Sequence, residues 1–230
     1  MIELHYFPGN ASMAPHILLH ELGLPFTLQL VDRTNNAHKM AAYLALNPNG
    51  QIPVLRDGDL VLYEAAAICL HLADRQPASG LQHADQQPAS GLLPPLGTPE
   101  RAQAYKWLVW MSNTLQATLM HYFYPERIVD EGATACAEQV KAHAQAKVGA
   151  LLDQIEAQLA GHGQPWLLGD RYSVADAYGF MLCRWTRGFE GTASPPARTR
   201  PAIGAWLQRL QARPAVQRAM AAEGLPQPWV

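Results

Sequence analysis

The stretch "LYEAAAICL", residues 62–70, sets one carboxylate, Glu64, directly ahead of an alanine-rich run. Helices usually open on Ser, Thr, Asp or Asn, whose side chains bond the first backbone N–H groups. Here Ala65, Ala66 and Ala67 follow the acid, so no hydroxyl meets those groups. Either this start leaves its N–H groups to an anionic ligand, or it is a helix start chosen for its packing. A second stretch, "FPGNASMAPH" at residues 7–16, brings Asn10 and Ser12 to another helix start, as polar side chains able to cap it or to donate outward. His16 and His20, at i and i+4 before Glu21, have a spacing that can share a metal. No third ligand accompanies them, so no metal site is expected and they read as an ordinary helix surface.

The rest of the composition narrows the classes. The chain has 230 residues, 49% hydrophobic and 16% charged, with a formal net charge of -2. That length supports one large or two small domains with real cores. A near-neutral balance without basic runs argues against nucleic acid as a partner. No apolar stretch approaches the roughly 20 residues of a membrane span, and "MIELHYFPGN" lacks the pattern of a secretory signal. Cys69, Cys136 and Cys183 are isolated, without zinc or dithiol spacing. Together these point to a reducing cytoplasm and leave the sequon Asn10-Ala11-Ser12 without meaning for glycosylation.

Residues 1–75 alternate between strand and helix patterns. "IELHYF" places Ile2, Leu4 and Tyr6 on one face, a strand period. Ala14, Ile17, Leu18 and Leu22 repeat at helical spacing until Gly23 and Pro25. "FTLQLV" alternates again, and "AHKMAAYLAL" reads as a short helix. "IPVL" and "LVLY" flank Asp57-Gly58, a tight-hairpin signal. A helix from Ala65 to about Asp74 closes the unit. A right-handed crossover makes the first two strands parallel neighbours and the hairpin adds an antiparallel pair. The expectation is a thioredoxin-like domain with a mixed four-stranded sheet.

Residues 76–97 read as a linker. "ADRQPASGLQH" is followed at once by "ADQQPASGLLP", a tandem duplication of eleven residues. It reads as a tolerated insertion, since lengthening a surface loop costs only about 0.6 kcal/mol per doubling; the other reading is a recognition loop. From residue 98 to 230 the signals are helical. Thr98 and Pro99 suit a helix start, and Tyr105, Leu108, Leu115, Leu119 and Tyr122 mark one long helix that Pro125 ends. Val140 to Leu159 marks a second, stopped by Gly161-His162-Gly163. "SVAD" is a capping box in which Asp176 reaches back to Ser173. Shorter helices follow around Ile203 to Leu210 and after Pro214. The class is thus α/β plus all-α, with a C-terminal helical bundle.

Three motifs in register, "LALNPNGQIPVL", "LYEAAAICLHLAD" and "LLGDRYSVADAY", resemble the cytosolic glutathione transferase family over nearly the whole chain, nearest to bacterial beta and to phi-like patterns. The resemblance implies that the thioredoxin-like domain binds glutathione as co-substrate and that the helical domain contributes to the site of a small hydrophobic electrophile. It also implies a homodimer acting in detoxification. Glutathione would add like an extra strand to the backbone of Ile52, turned toward a cleft by a cis bond to Pro53. Glu64 would pair with the γ-glutamyl ammonium, the N–H groups of residues 65 and 66 would hold its carboxylate, and Gln51 would help. His38 and Lys39 resemble a basic pair for the glycine carboxylate, or form a solvated helix start.

Catalysis needs the thiolate, and Asn10 or Ser12 is the candidate donor to it. Ser12 has a second reading as the helix cap, and Tyr6 reads as a strand residue. The beta-class pattern has a cysteine where Ala11 stands, and family members typically carry Ser or Thr where Ala65 stands. These departures keep two further readings open. One is a non-catalytic binding protein of the same fold. The other is a glutathione-dependent disulfide reductase without a protein cysteine. Among the helical-domain aromatics, most are expected in the core or an interface, and some are expected to wall an apolar acceptor pocket with Arg184 or Arg187 nearby.

Overall fold

The computed structural model describes residues 1–75, 91–191 and 194–230. Most of the duplicated linker lies outside the described residues. The chain falls into two compact units, Met1–Arg101 with Leu210–Trp229, and Ala102–Arg209 with Val230.

In the first unit, β1 (Ile2–Tyr6), β2 (Phe26–Leu30), β3 (Val54–Asp57) and β4 (Leu60–Tyr63) form one sheet in the order β2-β1-β3-β4. β1 runs parallel to β2 and antiparallel to β3, which pairs antiparallel with β4. This is the mixed sheet that the alternating pattern and the hairpin signal predict. Helices α1 (Met13–Leu22) and α3 (Ala65–Ala73) pack on each other. With the sheet they bury Leu4, Ile17, Leu18, Leu55, Ile68 and Leu72 completely.

The stretch expected as one short helix from Ala37 is broken. A single 3-10 turn, Ala37–Lys39, is followed at extended Met40 (φ -76, ψ 150) by α2, Ala41–Leu44. The C-terminal segment also belongs to this unit, and α9 (Pro214–Ala222) packs along α1.

The second unit is helical. α4 (Pro99–Trp110) begins in the first unit and continues through a wider π turn, Met111–Gln116, into α5 (Ala117–Phe123). The expected single helix is therefore regular except at this turn. There the Ser112 hydroxyl donates to Val109 O and the Thr118 hydroxyl to Thr114 O, so side chains join the backbone bonding. α6 (Thr134–His162) buries Val148, Leu151, Leu152, Ile155 and Leu159 along one stripe and ends at Gly163. α7 (Val174–Trp185) starts at the expected capping box, and α8 (Pro201–Ala212) supplies Trp206, a fully buried side chain. Asp176 fixes that start. Its Oδ2 accepts from Ser173 N–H at 2.8 Å and from the Ser173 hydroxyl at 2.9 Å. Its Oδ1 accepts from Leu167 N–H at 2.8 Å and Trp206 Nε1–H at 2.9 Å. Among the described residues no helix is long and apolar enough to cross a membrane.

Candidate active site at one end of the sheet

Strand register decides which sequence-predicted residues meet. Tyr6 pairs with Leu30, His5 with Val54, and Val54 with Tyr63. The chain therefore leaves β1 and β2, enters β3 and leaves β4 at the same end of the sheet. That end carries the loop 7–12, the loop 31–40, the segment 51–53 and Glu64. The segments that carry the glutathione-site candidates of the sequence meet there. A small apolar cluster of Val31, Tyr43, Ile52 and Val54, joined by Phe7, Ala37, Leu46 and Tyr63, packs these segments together.

The segment before β3 is braced by its own neighbours. Asn47, 2% exposed, accepts from Asn49 N–H through Oδ1 and donates from Nδ2 to Gln51 O at 2.9 Å. The Tyr43 hydroxyl donates to the same carbonyl at 2.7 Å. Burial pushes that phenol up from its ordinary pKa, so it stays a donor. Gly50 adopts φ +59, and a Cβ there would stand 2.9 Å from His38 O and 3.0 Å from Lys39 Nζ. Only glycine combines that backbone with that approach, and the contact seats the 3-10 turn of His38 and Lys39 against the loop. Lys39 is exposed and His38 half-buried. The Ile52–Pro53 bond is cis, as the sequence suggested. Ile52 buries its side chain, while its N–H and C=O have no backbone partner among the described residues. Asn47 and Tyr43 were not singled out from sequence, although Asn47-Pro48-Asn49-Gly50 is a turn signal that contains the first.

Glu64 sits between β4 and α3 with φ 73 and ψ 108. That region is costly for a residue with a Cβ, about 1–3 kcal/mol, and such outliers concentrate at ligand sites. Its side chain is exposed. The first bond of α3 runs from Ile68 N–H to Glu64 O at 2.9 Å. The N–H groups of Ala65, Ala66 and Ala67 thus have no acceptor within the helix. Ala65, 6% exposed, adds no hydroxyl.

The loop 7–12 treats its two polar residues differently. Ser12 is fully buried, and its hydroxyl donates to Phe7 O at 3.2 Å and lies 3.4 Å from Phe7 N–H. It makes no side-chain cap. Asn10 is half-buried, and its Oδ1 accepts from Ala11 N–H at 2.7 Å, which leaves the Nδ2 group of the amide as a donor.

His16 corrects the expectation of an ordinary helix surface. It is fully buried, stacked at 5.0 Å on His20 and at 5.7 Å against Phe26, with Nδ1 2.9 Å from Glu223 Oε1. Burial, with His16 and Arg218 nearby, lowers the His20 pKa to about 4. No group of three or more candidate metal ligands occurs among the described residues. Nothing in the sequence pattern marks Glu223 as a neighbour of this helix.

A thioredoxin-like domain with this sheet end, followed by a helical domain, defines the class, and comparison with known proteins agrees. Family models of the glutathione S-transferase N-terminal and C-terminal domains match residues 11–75 and 110–214. Glutathione S-transferase 3 of Zea mays is 35% identical over 224 residues, 92% of this chain and 89% of its own. Glutathione S-transferase GstA of Escherichia coli O157:H7 is 32% identical over 229 residues, 97% of this chain and 100% of its own. A solved glutathione transferase homologue from Sulfitobacter, with bound glutathione, superposes with a TM-score of 0.81 at 26% identity, covering 98% of this chain and 99% of that one. The chain belongs to the glutathione transferase family.

Proposed function

We propose that this protein activates the glutathione thiol at this sheet end for attack on a small hydrophobic electrophile. The observation that carries the reading is the convergence on one sheet end of Ile52 backbone groups without a backbone partner among the described residues, the open start of α3 beside Glu64, and the Asn10 amide. The cysteinyl backbone of glutathione pairs with Ile52 as an added strand beside Pro53. Glu64 takes the γ-glutamyl ammonium, and the N–H groups of Ala65 and Ala66 take its carboxylate, with Gln51 alongside. Lys39 and His38 face the glycine carboxylate.

Asn10 Nδ2–H donates to the sulfur, while Ser12, spent on Phe7, braces the loop. A hydrogen bond to a charged group is worth about 1.5–3 kcal/mol, or roughly one to two pKa units at 1.36 kcal/mol per unit. An ordinary thiol, only a few per cent ionised at neutral pH, becomes substantially thiolate. The thiolate forms a carbon–sulfur bond with the electrophile and the leaving group departs with the electron pair. We place the activity in the cytoplasm, in a homodimer, with a role in detoxification.

A second reading has one observation in its favour. Ala11 stands where a reactive cysteine would lie, and burial pushes the Cys69 and Cys183 thiols up, Cys183 to about 12. These groups are poor nucleophiles. Bound glutathione would then attack a glutathionylated substrate, releasing the substrate thiol and oxidised glutathione with no protein cysteine involved. Calorimetry with glutathione, followed by aryl-halide conjugation and mixed-disulfide turnover side by side, tests both. Conjugation supports the first reading, and turnover of the disulfide alone supports the second. Binding without either reaction makes the chain a glutathione-binding protein, and absence of binding ends both reactions and leaves the non-catalytic protein of the same fold.

A further inference from the structure

The loop that carries Asn10 is gripped by a residue from the far end of the chain. Glu223 follows α9, and its side chain, like that of His16, is 0% exposed. Oε2 accepts from Gly9 N–H at 2.8 Å across 214 positions of sequence, and Oε1 lies 2.9 Å from His16 Nδ1, which donates to it. One carboxylate therefore holds the peptide just before Asn10 and the helix just after it. The His16 ring stands 6.4 Å from Tyr6 and 5.7 Å from Phe26, so the grip extends to the ends of both parallel strands. A second tether joins α1 to the same C-terminal segment. Arg213 donates to the two oxygens of Glu21 at 2.6 and 2.8 Å, in the last turn of α1 and away from the loop.

We propose that Glu223 is a positioning residue for thiol activation, setting the Gly9–Asn10 backbone so that the Asn10 amide meets the glutathione sulfur. The inference rests on the proposed role of Asn10 and adds the group that makes that role possible. A buried carboxylate with two donors resists displacement, since moving it breaks its hydrogen bonds to both Gly9 N–H and His16 Nδ1–H. Hydrogen bonds to ions weaken steeply as their geometry departs from linear. A loop shift too small to unfold anything is therefore enough to lose activation.

The test compares Glu223→Ala, Glu223→Asp and Glu223→Gln with Arg213→Ala. In each, the pKa of bound glutathione is read from thiolate absorbance against pH, beside kcat, KM for glutathione and the denaturation midpoint. Glu223→Ala is expected to raise the bound-thiol pKa by about one unit, a roughly three- to eightfold loss of thiolate and of kcat at neutral pH. KM should change by less than about threefold. Glu223→Asp, too short to reach both donors, should shift the pKa in the same direction and serves if the alanine variant does not fold. Glu223→Gln keeps an acceptor for Gly9 and should restore most of the activation. Arg213→Ala should lower the midpoint while the thiol pKa stays in place. Loss of midpoint in the Glu223 variants with an unshifted thiol pKa overturns the proposal alone. A wild-type protein that binds glutathione without acidifying it, or does not bind it, overturns the underlying function as well.

Discussion

At the start of α7 both carboxylate oxygens of Asp176 are occupied, whereas at the start of α3 the acid is exposed and the first N–H groups have no acceptor within the helix. Both starts combine one acid with alanines, but only the α7 start carries a hydroxyl, on Ser173. They also differ in where the backbone donors go. α7 spends them inside the protein, with Ser173 in ordinary extended geometry (φ -145, ψ 173). α3 accepts a costly backbone at Glu64 and leaves its first donors without an acceptor in the helix. A closed start serves stability, and an open one is available to a ligand.

The largest expected effect lies at the closed start. Asp176→Ala orphans Leu167 N–H, Ser173 N–H and Trp206 Nε1–H in the interior at once. Each buried donor left unsatisfied costs about 1–3 kcal/mol, so the three together should cost at least about 3 kcal/mol. Chemical denaturation should show that loss, with glutathione affinity of the folded fraction unchanged. A variant as stable as the wild type would mean that the network contributes little and that the contrast between the two starts is one of appearance.

The next effect belongs to the open start. Glu64→Ala removes the partner proposed for the γ-glutamyl ammonium and should weaken glutathione binding about a hundredfold, close to 2.7 kcal/mol. The denaturation midpoint should barely move, since the Glu64 side chain is exposed. Equal affinity by calorimetry would show that glutathione does not use this helix start. Glu64→Gly tests the backbone separately. It should relieve the positive φ and hold or raise stability while binding is lost.

These two starts also show what a sequence discloses. The capping box could be read from "SVAD" because its partners lie within three residues, and the hairpin from Asp57-Gly58 for the same reason. Ile52, Pro53 and Glu64 entered as site residues through the resemblance of their motifs, and it is the strand register that brings them to one sheet end. The positive φ of Glu64 had no such signal, since it depends on how β4 is carried into α3. Ser12 carried two readings from the sequence, and its hydroxyl bonds Phe7 within the loop, a contact that spacing does not announce. The π turn at Met111–Gln116 has no counterpart in the apolar spacing, which reads straight through it. His16 was read as a surface residue because its acceptor, Glu223, is 207 positions away.

The smallest effect comes from exchanging one hydroxyl between the two starts. Ser173→Ala removes it from α7, where its oxygen lies 2.9 Å from Asp176 Oδ2, and should cost about 1 kcal/mol of stability. Ala65→Ser adds one to α3, beside N–H groups without an acceptor in the helix. If the γ-glutamyl carboxylate lies there, the new donor makes a hydrogen bond to a charged group worth about 1.5–3 kcal/mol. Part of that is spent desolvating the hydroxyl, so about tenfold tighter binding is expected, or about 1.4 kcal/mol. Ala65 is nearly buried at 6% exposure, but one added oxygen at a helix start is a small change, and the midpoint without glutathione should stay within about 0.5 kcal/mol of wild type. Titration calorimetry and denaturation of both variants give four numbers. The two starts differ in purpose when stability moves only for Ser173→Ala and affinity only for Ala65→Ser. If Ala65→Ser instead raises stability and leaves affinity unchanged, α3 is simply a poorly capped helix, and the ligand carboxylate must be held elsewhere.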